Sequence, residues 1–163
     1  PGRQGYPASV FAELPRLFER AGNDERGSIT GIYTVLVTGD DLQEPVADET
    51  MSLLDGHIVL SRKLAARAHF PAIDVTRSKS RVRNDVLSKE DQRFADRALG
   101  VVADYEENYD KISLGLYEHG TLSGRPDPAT WYPAVEKFLQ QDLASPVPME
   151  ETLRTMRSLL PSC

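Results

Sequence analysis

The sequence predicts two consecutive parts: an α/β layer over residues 1–83 and an all-helical part over residues 84–163. Three observations predict it. Strand-like and helix-like stretches alternate through the first part, the order that builds a sheet covered by helices. From Ser88 onward the apolar residues instead recur every three or four positions, the period of helices that pack on one another. The charge shifts at the same place. Residues 1–83 hold 11 basic and 11 acidic side chains, whereas residues 84–163 hold 8 and 14, so the whole net charge of −6 lies in the second part.

The elements follow in order. Val10, Phe11, Leu14, Leu17 and Phe18 predict an amphipathic helix over Ser9 to Ala21, stopped by Gly22 and kinked or loosened by Pro15. Gly22 to Gly27 reads as a polar turn. Ile29 to Val37 is apolar and rich in β-branched residues, a strand buried on both faces as in parallel sheets. Thr38 to Glu49 reads as an acidic loop. His57 to Leu60 is a short strand, Lys63 to Ala68 a helix, and Ala72 to Val75 a third strand. Ser88-Lys89-Glu90-Asp91 has the form of a capping box. Phe94, Ala98, Val101, Tyr105, Tyr109, Ile112 and Leu116 then predict one long helix, weakened at Gly115 and ended at Gly120. Trp131, Val135, Phe138 and Leu139 mark a second helix, with Pro133 near its start. Met149, Leu153, Met156 and Leu160 mark a third.

Composition excludes several classes. Apolar residues are 40% and charged residues 27%, which does not describe a disordered chain, a collagen-like fibre or a coiled-coil rod. No run approaches the roughly 20 apolar residues of a membrane span. The single thiol, Cys163, cannot close an internal disulfide, which fits a reducing compartment. No secretory signal heads the chain, and the first residue is Pro1, which suggests a fragment or a processed product. The stretch His57 to Arg83 holds Arg62, Lys63, Arg67, Arg77, Lys79, Arg81 and Arg83 against one acid, Asp74. Such an excess can hold an anionic ligand by Coulomb attraction, or it is a solvated helix end with a charged loop. Nucleic acid is not expected as a partner, because the chain is acidic and its basic residues are not interleaved with a row of aromatics.

The familiar catalytic motifs are absent. There is no G-x-x-x-x-G-K-[ST] phosphate loop, and Gly-Lys does not occur. There is no C-x-x-C and no H-E-x-x-H, and His57, His69 and His119 are not at metal-ligand spacing. Asp40-Asp41 follows a predicted strand, where open α/β sheets often carry catalytic groups, but neighbours on a strand face opposite sides. The alternative for that pair is a turn with side chains bonded to backbone. Residue chemistry alone thus describes an anion-binding α/β piece joined to a helical domain.

One motif goes further. Pro71-Ala72-Ile73-Asp74, then Ser78, Ser80 and Arg81, resembles the signature shared by the α and β subunits of rotary ATP synthases and their relatives. Around it, Gly5-Tyr6-Pro7, Ser9 to Gly22, Gly27 to Val37, Gly39 to Thr50, Leu54 to Ala66 and Phe70 to Val82 are similar almost word for word to the ATPases of type III secretion systems. The close resemblance covers about the first 83 residues. The rest resembles the family in its helical pattern and in Leu114-Gly115-Leu116-Tyr117. Flagellar export ATPases share most of these words. Ala47-Asp48-Glu49-Thr50 and Ser52 to Gly56 look more like the injectisome branch, although Met51 departs from the arginine usual there.

The resemblance implies the downstream half of a RecA-like P-loop ATPase core (1–83) followed by an all-helical carboxy-terminal domain (84–163). It implies that the phosphate loop, catalytic glutamate and magnesium-binding aspartate lie upstream of Pro1, so this piece alone should not hydrolyse ATP, and the ligands of ATP and Mg2+ lie mainly elsewhere. Arg81 corresponds to the arginine finger, reaching the γ-phosphate of ATP held by the next subunit. A fork-shaped, permanently charged guanidinium suits that task better than lysine. Phe70 and Pro71 stand where relatives pack on the adenine ring, with phenylalanine replacing the usual tyrosine. Leu116 would border that pocket. Ser78 and Ser80 would fix the loop through backbone hydrogen bonds. Val59 to Lys63 would be scaffold, with Arg62 an ion-pair or interface residue. The implied whole is a homohexameric secretion ATPase in the cytoplasm, peripheral at the bacterial inner membrane, that detaches chaperones from effectors and unfolds them. Its partners would be chaperone–effector complexes and the stalk and stator proteins. The alternatives are a flagellar export ATPase and a non-enzymatic docking module for chaperones or a stalk.

Overall fold

The structure is a computed structural model that describes residues 5–119 and 126–160. The chain forms two compact units, one through His57 and one from Ile58 onward. In the first unit, α1 spans Ala8–Phe18, a little shorter than predicted. Pro15 lies inside it and the helix runs through, closing with Glu19 N–H donating to the Pro15 carbonyl at 2.9 Å. The predicted polar turn is the tip of a small antiparallel hairpin, β1 (Gly22–Asp24) with β2 (Gly27–Ile29). Asp24 Oδ1 shapes it by accepting from the Arg26 and Gly27 amides at 2.7 and 2.9 Å.

Two expectations in this unit fail. The apolar run Ile29 to Val37 is not a buried strand: only Ile29 belongs to β2, and Ile32 and Leu36 are each 92% exposed. An all-apolar strand needs paired edges and a layer on each face, and the described residues of this unit give residues 30–37 no paired strand. Thr38 to Glu49 is not a loop throughout. A 3-10 turn over Thr38–Asp40 leads into helix α2, Pro45–Leu53. Pro45 at its first turn has the fixed φ that suits a helix start and no N–H to leave unpaired. Glu44 ties this corner by accepting from the Thr38 amide at 3.1 Å and the Tyr6 hydroxyl at 3.3 Å.

β3 (Gly56–Leu60) runs across the boundary into the second unit, where α3 (Arg62–Ala66) and β4 (Ile73–Ser80) follow, with β3 and β4 paired. Ser61 caps α3 by accepting from the Leu64 amide. β4 continues five residues beyond the predicted strand, through the polar stretch Thr76 to Ser80. A short helix α4 (Arg83–Val86) precedes α5 (Lys89–Glu107), capped by Ser88 as expected. The predicted single long helix is broken: α5 ends before Asn108, and α6 spans Tyr109–Ser113. The Asn108 amide keeps the helical bond to the Asp104 carbonyl at 3.1 Å, and its side chain donates to the same carbonyl at 2.9 Å, a local side-chain bond that competes with regular helix. Gly115, at φ 69°, then ends α6 with Leu116 N–H bonded to the Lys111 carbonyl and Gly115 N–H to that of Ile112. Gly120, the expected stop, lies outside the described residues. Helices α7 (Pro128–Leu139) and α8 (Met149–Leu159) stand where the periodicity put them.

α5, α7 and α8 pack on one another. Val101, Val102, Val135 and Leu160 are buried between them, with Ala98, Trp131, Tyr132, Leu139 and Leu159 around the edge. Val75 of β4 packs against the same cluster, so the strand is anchored on the helical core. Tyr105 and Tyr132 stack at 3.6 Å, and burial, helped by the charge of Glu136, pushes the Tyr132 hydroxyl up to about 12. Met156 is buried, whereas Met149 is 57% exposed.

The start of α5 is tied to α8 by an ion pair. Asp91 is buried, and Arg157 grips it with two bonds, Nε to Oδ1 at 2.7 Å and Nη2 to Oδ2 at 3.0 Å. Ser88 Oγ adds a third at 2.6 Å. The Arg157 and Ser88 hydrogen bonds hold the Asp91 carboxyl below the usual range. Folded Asp91 therefore binds a proton less readily than the unfolded chain, whose aspartates titrate near 3.9. Its contribution is full above that value and is lost as pH falls through the lower folded one. Asp91→Asn should thus be less stable than the wild type at neutral pH, and the gap should narrow steadily below about pH 4. Urea denaturation of both proteins at several pH values measures it.

Candidate functional site

The predicted site residues lie at the two ends of β4 and on one segment beyond α6. At the start of the strand, Phe70 and Pro71 form a turn with a cis peptide between them. Three hydrogen bonds pin its backbone: Gln141 N–H to the Phe70 carbonyl at 2.9 Å, Ile73 N–H to that of Pro71 at 2.8 Å, and Ser61 N–H to that of Ala72 at 2.8 Å. The Phe70 side is 55% exposed, so a flat apolar ring faces outward from a fixed backbone. Beneath it His69 is buried, with Nδ1 3.5 Å from Gln140 Nε2. Gln140 and Gln141, just past α7, therefore support this turn. Residues 71 positions apart carry no local sign of such a meeting, and sequence reasoning missed them.

The middle of the strand is stiffened by Asp74. Its Oδ1 accepts from Thr76 Oγ1 at 2.7 Å and from the Arg77 amide at 3.0 Å. Ser78 Oγ donates to the Asp74 carbonyl at 2.6 Å and accepts from the Val59 amide at 3.0 Å. Ser78 thus fixes the strand through backbone bonds, as expected of it. Glu106 of α5 approaches the same group, its Oε2 3.5 Å from Thr76 Oγ1. Burial and the nearby Asp74 charge raise the Glu106 carboxyl above its ordinary value, and Lys63 and the Thr76 bond oppose them.

Arg81 follows the far end of β4 and is exposed. It stands between two fixed points. Ser78 is held as described. Two residues beyond Arg81, Arg83 donates through Nη2 to the Gln92 carbonyl at 2.7 Å and pairs through Nη1 with Asp96 at 2.7 Å. Gln92 in turn donates to the Asn84 and Leu87 carbonyls at 3.3 and 2.9 Å. The exposed guanidinium is delivered by a braced backbone. The basic stretch predicted from the sequence therefore divides by role: Arg83 is structural, Arg67 lies 5.7 Å over the Tyr109 ring, and Arg77, Lys79 and Arg81 are exposed at the strand's end.

The structure brings Phe70 and Pro71 together and sets Arg81 far from them. Eight strand residues separate the two ends, about 26 Å at the usual rise. Leu116 lies on a third segment, just past the α6 cap, and is 70% exposed. Among the other candidates, Asp41 Oδ1 accepts from the Gln43 amide, the turn alternative for that residue, and His119 Nδ1 lies 2.6 Å from Asp127, which caps α7. Among the described residues no three His, Cys, Asp or Glu side chains are grouped to hold a metal, and no helix is long and apolar enough to cross a membrane. An outward aromatic face fits a nucleotide base, and an outward guanidinium fits a phosphate.

Comparison with known proteins places this arrangement. The nucleotide-binding domain of the ATP synthase alpha/beta family matches residues 1–80, and the carboxy-terminal domain of the type III secretion ATPase EscN matches residues 87–158. A type 3 secretion system ATPase of Pseudomonas syringae pv. syringae is 48% identical over 97% of this chain and 35% of its own length. A flagellum-specific ATP synthase of Bacillus subtilis is 42% identical over 98% of this chain and 36% of its own. The assembled ATPase EscN from enteropathogenic E. coli superimposes with a TM-score of 0.91 at 39% identity, covering 97% of this chain and 38% of that one. The same ATPase in complex with its central stalk EscO gives 0.81 at 39% identity, covering 97% and 37%. The chain thus spans about a third of the length of the relatives it matches. Its fold is the downstream part of a RecA-like P-loop core followed by a helical carboxy-terminal domain. With these two models matching successive stretches and secretion ATPases similar along nearly all of it, the chain belongs to the ATP synthase α/β family, in its type III secretion ATPase branch.

Proposed function

We propose that the protein containing this chain is a homohexameric type III secretion ATPase that hydrolyses ATP to detach chaperones from effectors and unfold them for export. Residues 1–83 complete its nucleotide-binding core, and residues 84–163 are its helical, partner-facing domain. The observation that carries this reading is β4, with an outward aromatic wall at its start and an outward, braced guanidinium at its end. About 26 Å of strand is longer than a nucleoside triphosphate. Phe70 and Arg81 of one subunit therefore serve two different nucleotides, which requires neighbouring subunits. The assembled state of EscN supports that arrangement.

Within it, Phe70 and Pro71 hold the base of the subunit's own ATP by stacking, with Leu116 at its border. Arg81 reaches the phosphates of ATP held next door and neutralises charge as the terminal bond breaks. Mg2+ supplies the remaining charge neutralisation, and its ligands, with the phosphate loop, belong to parts of the protein outside this chain, so the chain alone does not turn over ATP. The acidic helical domain, with Met149 outward, meets chaperone–effector complexes, the stalk and the stator. EscN's complex with its stalk EscO supports the stalk as a partner. The protein works in the cytoplasm, peripheral at the inner membrane. The 48% identity to a secretion ATPase, against 42% to a flagellar one, favours the injectisome over the flagellar reading.

In the full-length protein, Arg81→Ala should lower kcat about a thousandfold with little change in KM. Mixing it with a phosphate-loop variant should restore some turnover, because the two defects then leave one interface intact. Near-normal kcat in an assembled Arg81→Ala hexamer would remove Arg81 from the chemistry. Arg83→Ala frees the segment that carries Arg81 and should lower kcat about ten- to a hundredfold through misplacement, again sparing KM. Steady-state ATPase assays on assembled protein read both.

A further inference from the structure

Phe70 stands at the end of a strained bend. Helix α3 closes in a pattern that usually has glycine at its left-handed position: Ala68 N–H bonds to the Ala65 carbonyl at 3.0 Å, and His69 N–H to that of Leu64 at 3.1 Å. Here the residue in that position is Ala68, with φ 57°. Its Cβ opposes the left-handed conformation, so the bend persists because its surroundings hold it. The helical domain holds it at two points. Before the bend, the Arg67 guanidinium lies 5.7 Å over the Tyr109 ring. Tyr109 meets Tyr105 edge-on at 6.0 Å, and Tyr105 stacks on Tyr132 at 3.6 Å, so the cation rests on a ladder of rings from α6, α5 and α7. After the bend, His69 is buried with Nδ1 3.5 Å from Gln140 Nε2, and the Phe70 carbonyl accepts from the Gln141 amide at 2.9 Å. Gln141 is itself set in a closed loop: its Nε2 donates to the Ser145 carbonyl at 3.2 Å, and Ser145 Oγ donates to Asp142 Oδ2 at 3.1 Å.

We propose that Arg67 is a positioning residue for nucleotide binding: seated on Tyr109, and together with the Gln140–Gln141 anchor, it keeps the strained Ala68 bend closed and the Phe70 ring where a base stacks on it. This rests on the reading of Phe70 given above. A flat guanidinium suits the seat, because it spreads over the ring face that attracts its charge. Its part in binding is indirect. When the bend relaxes, the ring leaves its place, and nucleotide affinity falls by the fraction of time the wall is lost. Stacking on the base is equal in ground and transition state, so the loss appears in KM and not in kcat. It also appears in the choice of base. A purine offers a larger flat face than a pyrimidine, so a well-placed ring favours ATP over CTP, and a loosened one discriminates less.

The test measures kcat and KM for ATP and CTP in the full-length protein, with inorganic tripolyphosphate as a competitive inhibitor that has no base and with assembly followed by sedimentation. Phe70→Ala should raise KM for ATP about tenfold. Arg67→Ala should raise it about two- to fivefold with kcat nearly unchanged, narrow the preference for ATP over CTP, and leave inhibition by tripolyphosphate as it was. Tyr109→Leu removes the same contact from the helical side and should match Arg67→Ala, and the double variant should lose no more than either alone. Ala68→Gly suits the left-handed bend, and added to Arg67→Ala it should recover most of the lost affinity. A wild-type KM in both Arg67→Ala and Tyr109→Leu, beside a raised one in Phe70→Ala, overturns the role of Arg67 and leaves the base wall standing. Tripolyphosphate inhibition that weakens in step with ATP binding, or a glycine at position 68 that recovers nothing, overturns it as well. An unchanged KM in assembled Phe70→Ala would overturn the base wall and the role of Arg67 together.

Discussion

The packing of Val75 against the cluster of Val101, Val102, Val135 and Leu160 fixes β4 to the helical core, and everything proposed for this chain depends on where β4 lies. A strand of eight residues is of little use as a scaffold if it can slide or fray. Here its middle is held by an apolar contact that contributes about 1.5–3 kcal/mol when such a side chain is fully buried, and less for the half-buried Val75. Asp74 and Ser78 then lock the polar half with four short hydrogen bonds. With the middle fixed, the two ends are fixed as well. One presents a ring and the other a guanidinium, too far apart to serve one small ligand. The distance between them turns a property of a single strand into an argument for assembly.

Charge is sorted by position in the same way. Asp91, Arg157, Arg83 and Asp96 stand together in the sequence count but are spent on joining helices and bracing a turn. The buried Asp91 pair, with its three hydrogen bonds, couples the start of α5 to α8, and α5 in turn carries Gln92 and Asp96, the anchors of Arg83. The far carboxy-terminal helix thus helps to set the position of Arg81 through a chain of named contacts.

What the sequence made legible follows the same physics. Helices α5, α7 and α8 could be read because their apolar faces repeat with the helical period, and the Ser88 cap of α5 is a local signal. The motif from Pro71 to Arg81 marked the two ends of β4. The polar half of β4 could not be read as a strand, since Thr76 to Ser80 has no apolar alternation and its pairing comes from β3. Asn108 breaks the predicted long helix into α5 and α6, with a side-chain bond that periodicity does not register. Gln141 on Phe70 and Arg157 on Asp91 join residues distant in sequence, which only the folded chain brings together. The Ile29 to Val37 run shows the reverse case: strand propensity was correctly seen, but pairing partners decide whether a strand forms.

The account's central claim is that one subunit contributes to two nucleotides from the two ends of β4. A structure of the assembled full-length protein with a non-hydrolysable ATP analogue and Mg2+ tests it most directly. The prediction is that each nucleotide has the Phe70 ring of one subunit on its base and the Arg81 guanidinium of the next subunit within hydrogen-bond distance of its terminal phosphate. Arg81 turned away from every phosphate, or Phe70 and Arg81 of the same subunit on the same nucleotide, would contradict it.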